Sequence, residues 1–170
     1  MPLSDPNPVS VRRGVIADAE AACDAVRRSI LELCALDHEN DPTTLQQWLA
    51  NKTPGWFEHL LTAQDRSCVV AVRVDRVCGL GQLNHSGDVG LLYVAPEARF
   101  LGASSLMLDW LESETIHLGI EILRLNSTRT AKSFYLGRGY VEAGEPIPGF
   151  GITIQFPLMK SLRSASTPGS

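Results

Sequence analysis

Leu91-Leu92-Tyr93-Val94-Ala95-Pro96-Glu97-Ala98-Arg99-Phe100-Leu101-Gly102-Ala103-Ser104-Ser105 decides how this chain folds. Leu91 to Val94 is an apolar run of strand type. Pro96 ends it, because proline has no amide hydrogen to give a ladder. Arg99 to Ser104 is compact and carries a single glycine, Gly102. From Ala103 a new period begins, with Leu106, Met107, Trp110 and Leu111 on one helical face. Strand, small-residue loop and helix N-terminus in succession turn unpaired backbone amides and the positive end of a helix dipole toward one point. That suits an anion, above all a phosphate or pyrophosphate. Gly102 lets the backbone approach closely, and Ala103, Ser104 and Ser105 keep the approach open.

Before this stretch, Val9 to Ile16 alternates as a first strand, and Ala17-Asp18 opens a helix whose apolar face is Ala22, Val26, Ile30 and Leu33. Asp37 to Pro42 is polar. Thr43 or Thr44 caps a second helix with Leu45, Trp48 and Leu49, and Pro54 begins a third with Trp56, Phe57, Leu60 and Leu61. Ser67 to Val74 and Val77 to Asn84 form a hairpin about Asp75-Arg76, and His85-Ser86-Gly87 turns the chain into Asp88 to Ala95. After the long helix, Glu121 to Asn126 is a strand and Thr130 to Gly137 a helix. Tyr140-Val141 and Gly151 to Phe156 read as the last strands. An antiparallel meander followed by a parallel crossover is an α/β arrangement, a mixed central sheet flanked by helices. It makes one domain over residues 9–162, with flexible tails at 1–8 and 163–170.

A second motif lies downstream, Thr130-Ala131-Lys132-Ser133-Phe134-Tyr135-Leu136-Gly137-Arg138-Gly139-Tyr140. Together the two resemble the GNAT N-acetyltransferase superfamily. Its loop signature is Arg or Gln, two residues, Gly, one residue, then Gly or Ala; Arg99 and Gly102 match, and Ser104 stands at the last place. Its later pattern, Ala-x-x-Phe-Tyr-x-x-x-Gly-Phe/Tyr, is met at Ala131, Phe134, Tyr135, Gly139 and Tyr140. Thr128 stands where that pattern commonly has Asn. The order of elements is also that of the GNAT fold, so the resemblance covers roughly Val11 to Lys160.

The resemblance implies acetyl-CoA as co-substrate and no metal. The amides from Phe100 through Leu101, Gly102, Ala103 and Ser104 to Ser105 would hold the pyrophosphate, with Arg99 adding charge. Leu92, Tyr93 and Val94 would align the pantetheine as an added strand does, beside Thr128, Ala131 and Phe134. The Val94 amide would take the oxyanion, and Tyr135 would protonate the leaving thiolate. The alternative for Tyr135 is a core aromatic with a satisfied hydroxyl. The implied reaction is acetylation of a primary amine of a small molecule or protein by direct attack. The rival is a non-catalytic acyl-CoA-binding sensor of the same fold.

No general base is legible. Asp88, His85, Glu58, His38 and Glu39 are candidates, and a solvated hairpin end is the preferred reading of His85 and Asp88. Asp37, Glu39 and Asp41 would attract a cationic amine, but a hydrated loop is the preferred reading there too. Composition excludes other classes. The net charge of −4 over 170 residues, with no basic run, argues against a nucleic-acid surface, and no apolar run is long enough for a membrane span. Gly79-Leu80-Gly81 sits inside a strand and is no dinucleotide fingerprint. The four cysteines form no Cys-x-x-Cys; they read as reduced thiols of a cytoplasmic protein. Open sheet edges leave a homodimer available.

Overall fold

A computed structural model describes residues 4–162; the expected C-terminal tail, 163–170, lies outside them, as do residues 1–3. Strand β1 (Ser10–Arg13) is followed by helices α1 (Ala19–Leu33), α2 (Ala35–His38), α3 (Pro42–Leu49) and α4 (Pro54–Thr62). The meander is β2 (Arg66–Arg73), β3 (Arg76–Asn84) and β4 (Asp88–Val94). Then come α5 (Ala103–His117), β5 (Ile122–Ser127), α6 (Lys132–Gly137), β6 (Val141–Glu142), β7 (Ile147–Pro148) and β8 (Ile154–Ser161). One open sheet orders them β1-β2-β3-β4-β5-β8-β6, with β7 paired to β8. Only β4 and β5 are parallel, joined across α5; the other pairs are antiparallel.

The sheet is covered on both faces. Along β2, Val69 and Ala71 join Met107, Leu108 and Leu111 of α5, while Cys68 and Val70 join Val26, Ile30, Phe57 and Leu60 on the other side. That is the two-fold alternation of a strand with two buried faces. Gly79 and Gly81 explain the strand-internal Gly-x-Gly. A Cβ at Gly79 would lie 2.9 Å from Met107 Cε, and one at Gly81 would lie 3.1 Å from Leu111 Cδ1. Their absence lets α5 sit close against β3.

Several boundaries differ from the sequence reading. The first strand is shorter, because Val15 and Ile16 are exposed and a 3-10 turn over Ile16–Asp18 leads into α1. Residues 5–7, expected as part of a loose tail, lie against β2: Arg73 Nε donates to Asn7 O at 2.9 Å, and Arg73 Nη2 pairs with Asp5 Oδ2 at 3.6 Å. Asp41, not Thr43 or Thr44, caps α3; its carboxylate accepts from Thr44 N at 2.9 Å and Pro42 takes the first helical position. The β2–β3 turn is Val74-Asp75, both left-handed at φ 52° and 57°. On α5 the buried stripe is Ala103, Met107, Leu108, Leu111 and Thr115, so Leu106 is outside it. The final strand runs to Ser161 and pairs with all of β5. Among the described residues, no helix is long and apolar enough to cross a membrane. All four cysteines are free and buried.

Candidate functional site

The site begins as a gap in the sheet. β4 and β5 pair only at Asp88–Arg124 and Val89–Leu125. Beyond that, β5 stays with β8 over its whole length while β4 stays with β3. The divergence starts at Gly90. Gln82 pairs with Leu91 and Leu83 with Val89, so Gly90 is the extra residue of a bulge, and a bulge bends and twists its strand. A side chain there would run into the Gln82 carboxamide. Ala95 N donates to Cys78 O at 2.8 Å, and the register continues through Val94–Gly79 and Tyr93–Leu80. Alternation in an antiparallel ladder therefore gives Tyr93 to β3 and turns the peptide groups of Leu92 and Val94 into the gap.

On one side of the gap lies a cleft of about 370 Å³. It is lined by β4, the loop from Ala98 to Gly102, the first turn of α5, and residues of α1, β5 and α6. The loop folds as a 3-10 turn over Pro96–Ala98, then Phe100 at φ 65° and Gly102 at φ 82°. The first intrahelical donor of α5 is Leu106 N to Gly102 O at 3.0 Å. The amides of Ala103, Ser104 and Ser105 precede it, so they have no intrahelical carbonyl. Arg28 of α1 grips Glu97 through two bonds of 2.7 Å, holding its carboxyl down to about 2 and tying the turn to α1. Of the amides expected to face an anion, that of Leu101 is turned back to Ala98 O at 3.4 Å, and those of Ala103, Ser104 and Ser105 are the ones left free. Arg99, Phe100, Gly102, Ala103, Ser104 and Ser105 all line the cleft and Leu101 does not; Phe100 is 88% exposed, with the Arg99 guanidinium 4.6 Å above its ring.

The far wall is the β5–α6 loop. Thr128 Oγ1 accepts from Ala131 N at 3.1 Å, so this hydroxyl shapes the turn into α6. Thr128, Ala131, Phe134 and Tyr135 all line the cleft. Tyr135 is buried between Phe134 and Tyr140, with ring centroids at 5.3 and 5.5 Å. Its hydroxyl bonds none of the described residues. Since no buried side-chain oxygen among them lacks a partner, this hydroxyl reaches open cleft. Burial raises its pKa, so it stays protonated at neutral pH.

Asp37 corrects the reading of the acidic stretch as a hydrated loop. It is buried on α2 and accepts from Arg129 N at 2.6 Å, Thr130 N at 3.2 Å and Thr130 Oγ1 at 2.5 Å. It therefore fixes the loop that walls the cleft, as no local sequence signal announces. Asp37→Ala leaves three part-buried donors without their acceptor, which costs about 2–3 kcal/mol. The expected result is a melting temperature lower by roughly 5–10 °C in calorimetry, with Asp37→Asn between the two.

Across the gap is a second cleft of about 280 Å³, which shares Gly90, Leu91, Tyr93, Asn126 and Thr128 with the first. Trp48, Trp56 and Phe150 give it aromatic walls, and Trp48 stacks on Phe150 at 6.2 Å. Phe57 is wholly core. The hairpin carrying Phe150 is held to α3, with Gly151 N donating to Gln47 Oε1 at 2.9 Å and Ile152 N to Thr44 Oγ1 at 3.1 Å. Lys52 and Arg66 complete the lining beside Asn51, Gln82, Asn84 and Gln155. None of the expected bases lines either cleft. His38 is buried with both ring nitrogens engaged, by Ile30 O and Asn40 N at 2.9 Å each. His85 meets Ser67 at 2.9 Å, Asp88 accepts from Ser86 at 2.8 Å, and Glu39 and Glu58 are exposed. Among the described residues, no group of three or more His, Cys, Asp or Glu is placed to hold a metal ion.

This architecture is shared. The chain is similar to a GCN5-related N-acetyltransferase from Rhodopseudomonas palustris, at 21% identity over 91% of this chain and 96% of that one, with a TM-score of 0.80. It is similar to PaiA N-acetyltransferase from Thermoplasma acidophilum, solved with coenzyme A, at 18% identity over 90% and 98% with a TM-score of 0.74. It is also similar to yncA from Salmonella typhimurium, solved with acetyl-CoA, at 17% identity over 95% and 98% with a TM-score of 0.66. No curated protein matches the sequence. The family model of the GNAT acetyltransferase domain matches residues 37–160, the span from the buried carboxylate of Asp37 through the split strands to β8, and this chain belongs to that family.

Proposed function

We propose that the protein transfers an acetyl group from acetyl-CoA to a primary amine by direct attack across the β4–β5 gap. The observation that carries this reading is the meeting of two clefts at Gly90, Leu91 and Tyr93, beside the unpaired peptide groups of Leu92 and Val94. One cleft ends in free amides at the start of α5, which suit a pyrophosphate; relatives of the same fold were solved with coenzyme A and acetyl-CoA. The peptide groups of Leu92 and Val94 align the pantetheine arm as an added strand is aligned. The amine nitrogen bonds the thioester carbonyl carbon, the carbonyl oxygen gains charge beside the Val94 amide, and the carbon–sulfur bond breaks. Nitrogen gives its proton to solvent water, sulfur takes one from Tyr135, and Tyr135 regains its proton from water in the open cleft. Cys34 lines the cleft but gives no route through an acyl-enzyme: burial pushes its thiol up to about 12, leaving almost no thiolate. Four free thiols fit a cytoplasmic protein.

A second reading, an acyl-CoA-binding module without turnover, draws on the lack of an uncommitted carboxylate or imidazole in the second cleft among the described residues. Calorimetry with acetyl-CoA, followed by a CoA-release assay over a panel of amines, separates the two. Binding with amine-dependent release supports the enzyme; binding without release supports the module; no binding overturns both.

A further inference from the structure

Lys52 is a buried cation with no counter-charge. The residue is 4% exposed, and among the described residues its ammonium forms no ion pair. Its partners are neutral: it donates to Asn51 Oδ1 at 2.7 Å and to Trp48 O at 3.4 Å. Two rings face it, Trp56 at 5.2 Å and Phe150 at 5.8 Å. An ammonium has three N–H donors, so one is left for the cleft. Buried cations are ordinarily paired with an anion. Desolvation lowers the Lys52 pKa, the expected mark of a missing partner. The second cation of the cleft, Arg66, has its nearest carboxylate, that of Asp65, only at 3.9 Å. Asp37, the one carboxylate of the lining, is already taken by the amides and hydroxyl of residues 129 and 130.

Such a cleft disfavours a bare cationic amine and lacks an anion. Its volume of about 280 Å³ is at the low end of small-molecule sites, and four aromatic residues, Trp48, Trp56, Tyr93 and Phe150, supply an apolar body. Asn84, Asn126 and Gln155 add polar contacts. We infer that the acceptor is an amino acid, its carboxylate seated on the Lys52 ammonium between Trp56 and Phe150 and its amine directed to the β4–β5 gap. The inference rests on the acetyltransferase reading and names the acceptor class within it.

The test compares amino acids with their amides and with the corresponding decarboxylated amines in the CoA-release assay, using the full chain. The wild type is expected to favour the carboxylate-bearing member of each set by about ten- to a hundredfold in kcat/KM, the worth of a charge-assisted bond. Lys52→Met brings that ratio close to one through KM, with acetyl-CoA affinity unchanged in calorimetry; Lys52→Arg keeps the preference. The wild-type ratio decides the matter even where Lys52→Met folds poorly. Equal or better use of amides or plain amines overturns the inference, as does acetyl-CoA binding with no turnover of any amino acid, while the acetyl-CoA site stands. A wild type that binds no acetyl-CoA overturns both.

Discussion

Gly102→Glu abolishes acetyl-CoA binding by a protein that still folds. Gly102 has φ 82°, where a side chain is strained, but nothing in the protein lies within 4 Å of the Cβ it would gain. The folding penalty is therefore that of the left-handed backbone alone, about 1–2 kcal/mol. The binding penalty is larger. Gly102 caps α5 and lines the first cleft, so the new carboxylate stands at the amides offered to the pyrophosphate, and like charges compete for the same donors. A micromolar ligand is held by about 8 kcal/mol, much of which such a clash removes. Calorimetry reads the outcome, and Gly102→Ala separates the causes. Alanine carries the same backbone strain without charge or bulk, and is expected to bind within about tenfold of wild type. Equal affinity in the glutamate variant would move the pyrophosphate away from this loop.

The local parts of the site were legible because each rests on short-range chemistry. Pro96 and Gly102 mark the strand exit and the helix start whatever surrounds them, and the spacing from Ala131 to Tyr140 is that of one short helix and the turn that ends it. What the sequence concealed is long-range. Asp37 looks like one of several acids in a polar stretch; only the fold brings residues 129 and 130, more than ninety positions later, to its oxygens. Lys52 looks like a surface lysine until α3, Trp56 and the hairpin bearing Phe150 close over it. The split between β4 and β5 hangs on Gly90, one of 14 glycines, and its bulge is visible only once Gln82 and Leu83 have found their partners. The final strand runs past Phe156 through Pro157, which pairs with Asn126 inside β8. Proline there needs its nitrogen turned from the partner that would take a bond, a matter of register rather than composition.

Tyr135→Phe lowers kcat by about a hundredfold with acetyl-CoA affinity unchanged. The substitution is unusually clean. The hydroxyl bonds none of the described residues, so removing it orphans no partner, and the ring keeps its contacts with Phe134 and Tyr140. Stability is expected to move by less than about 1 kcal/mol. Burial raises the Tyr135 pKa, which has two consequences. The group keeps its proton beyond the pH at which a free tyrosine loses it, so no limb of the pH–rate profile below pH 10 belongs to it. It is also a weaker acid than a free tyrosine, and its pKa lies above that of a thiol, ordinarily about 8.5. Full transfer to sulfur is then uphill, and the gain comes from a hydrogen bond that strengthens as charge grows on the leaving atom. That places the effect at the lower end of the hundred- to ten-thousandfold span of acid–base groups. The measurement is kcat with a saturating amine acceptor and the acetyl-CoA dissociation constant, side by side. A fall in kcat alone assigns Tyr135 to the leaving sulfur. A parallel loss of affinity makes it a wall of the cleft, and an unchanged kcat leaves it a core aromatic whose hydroxyl does nothing in the reaction.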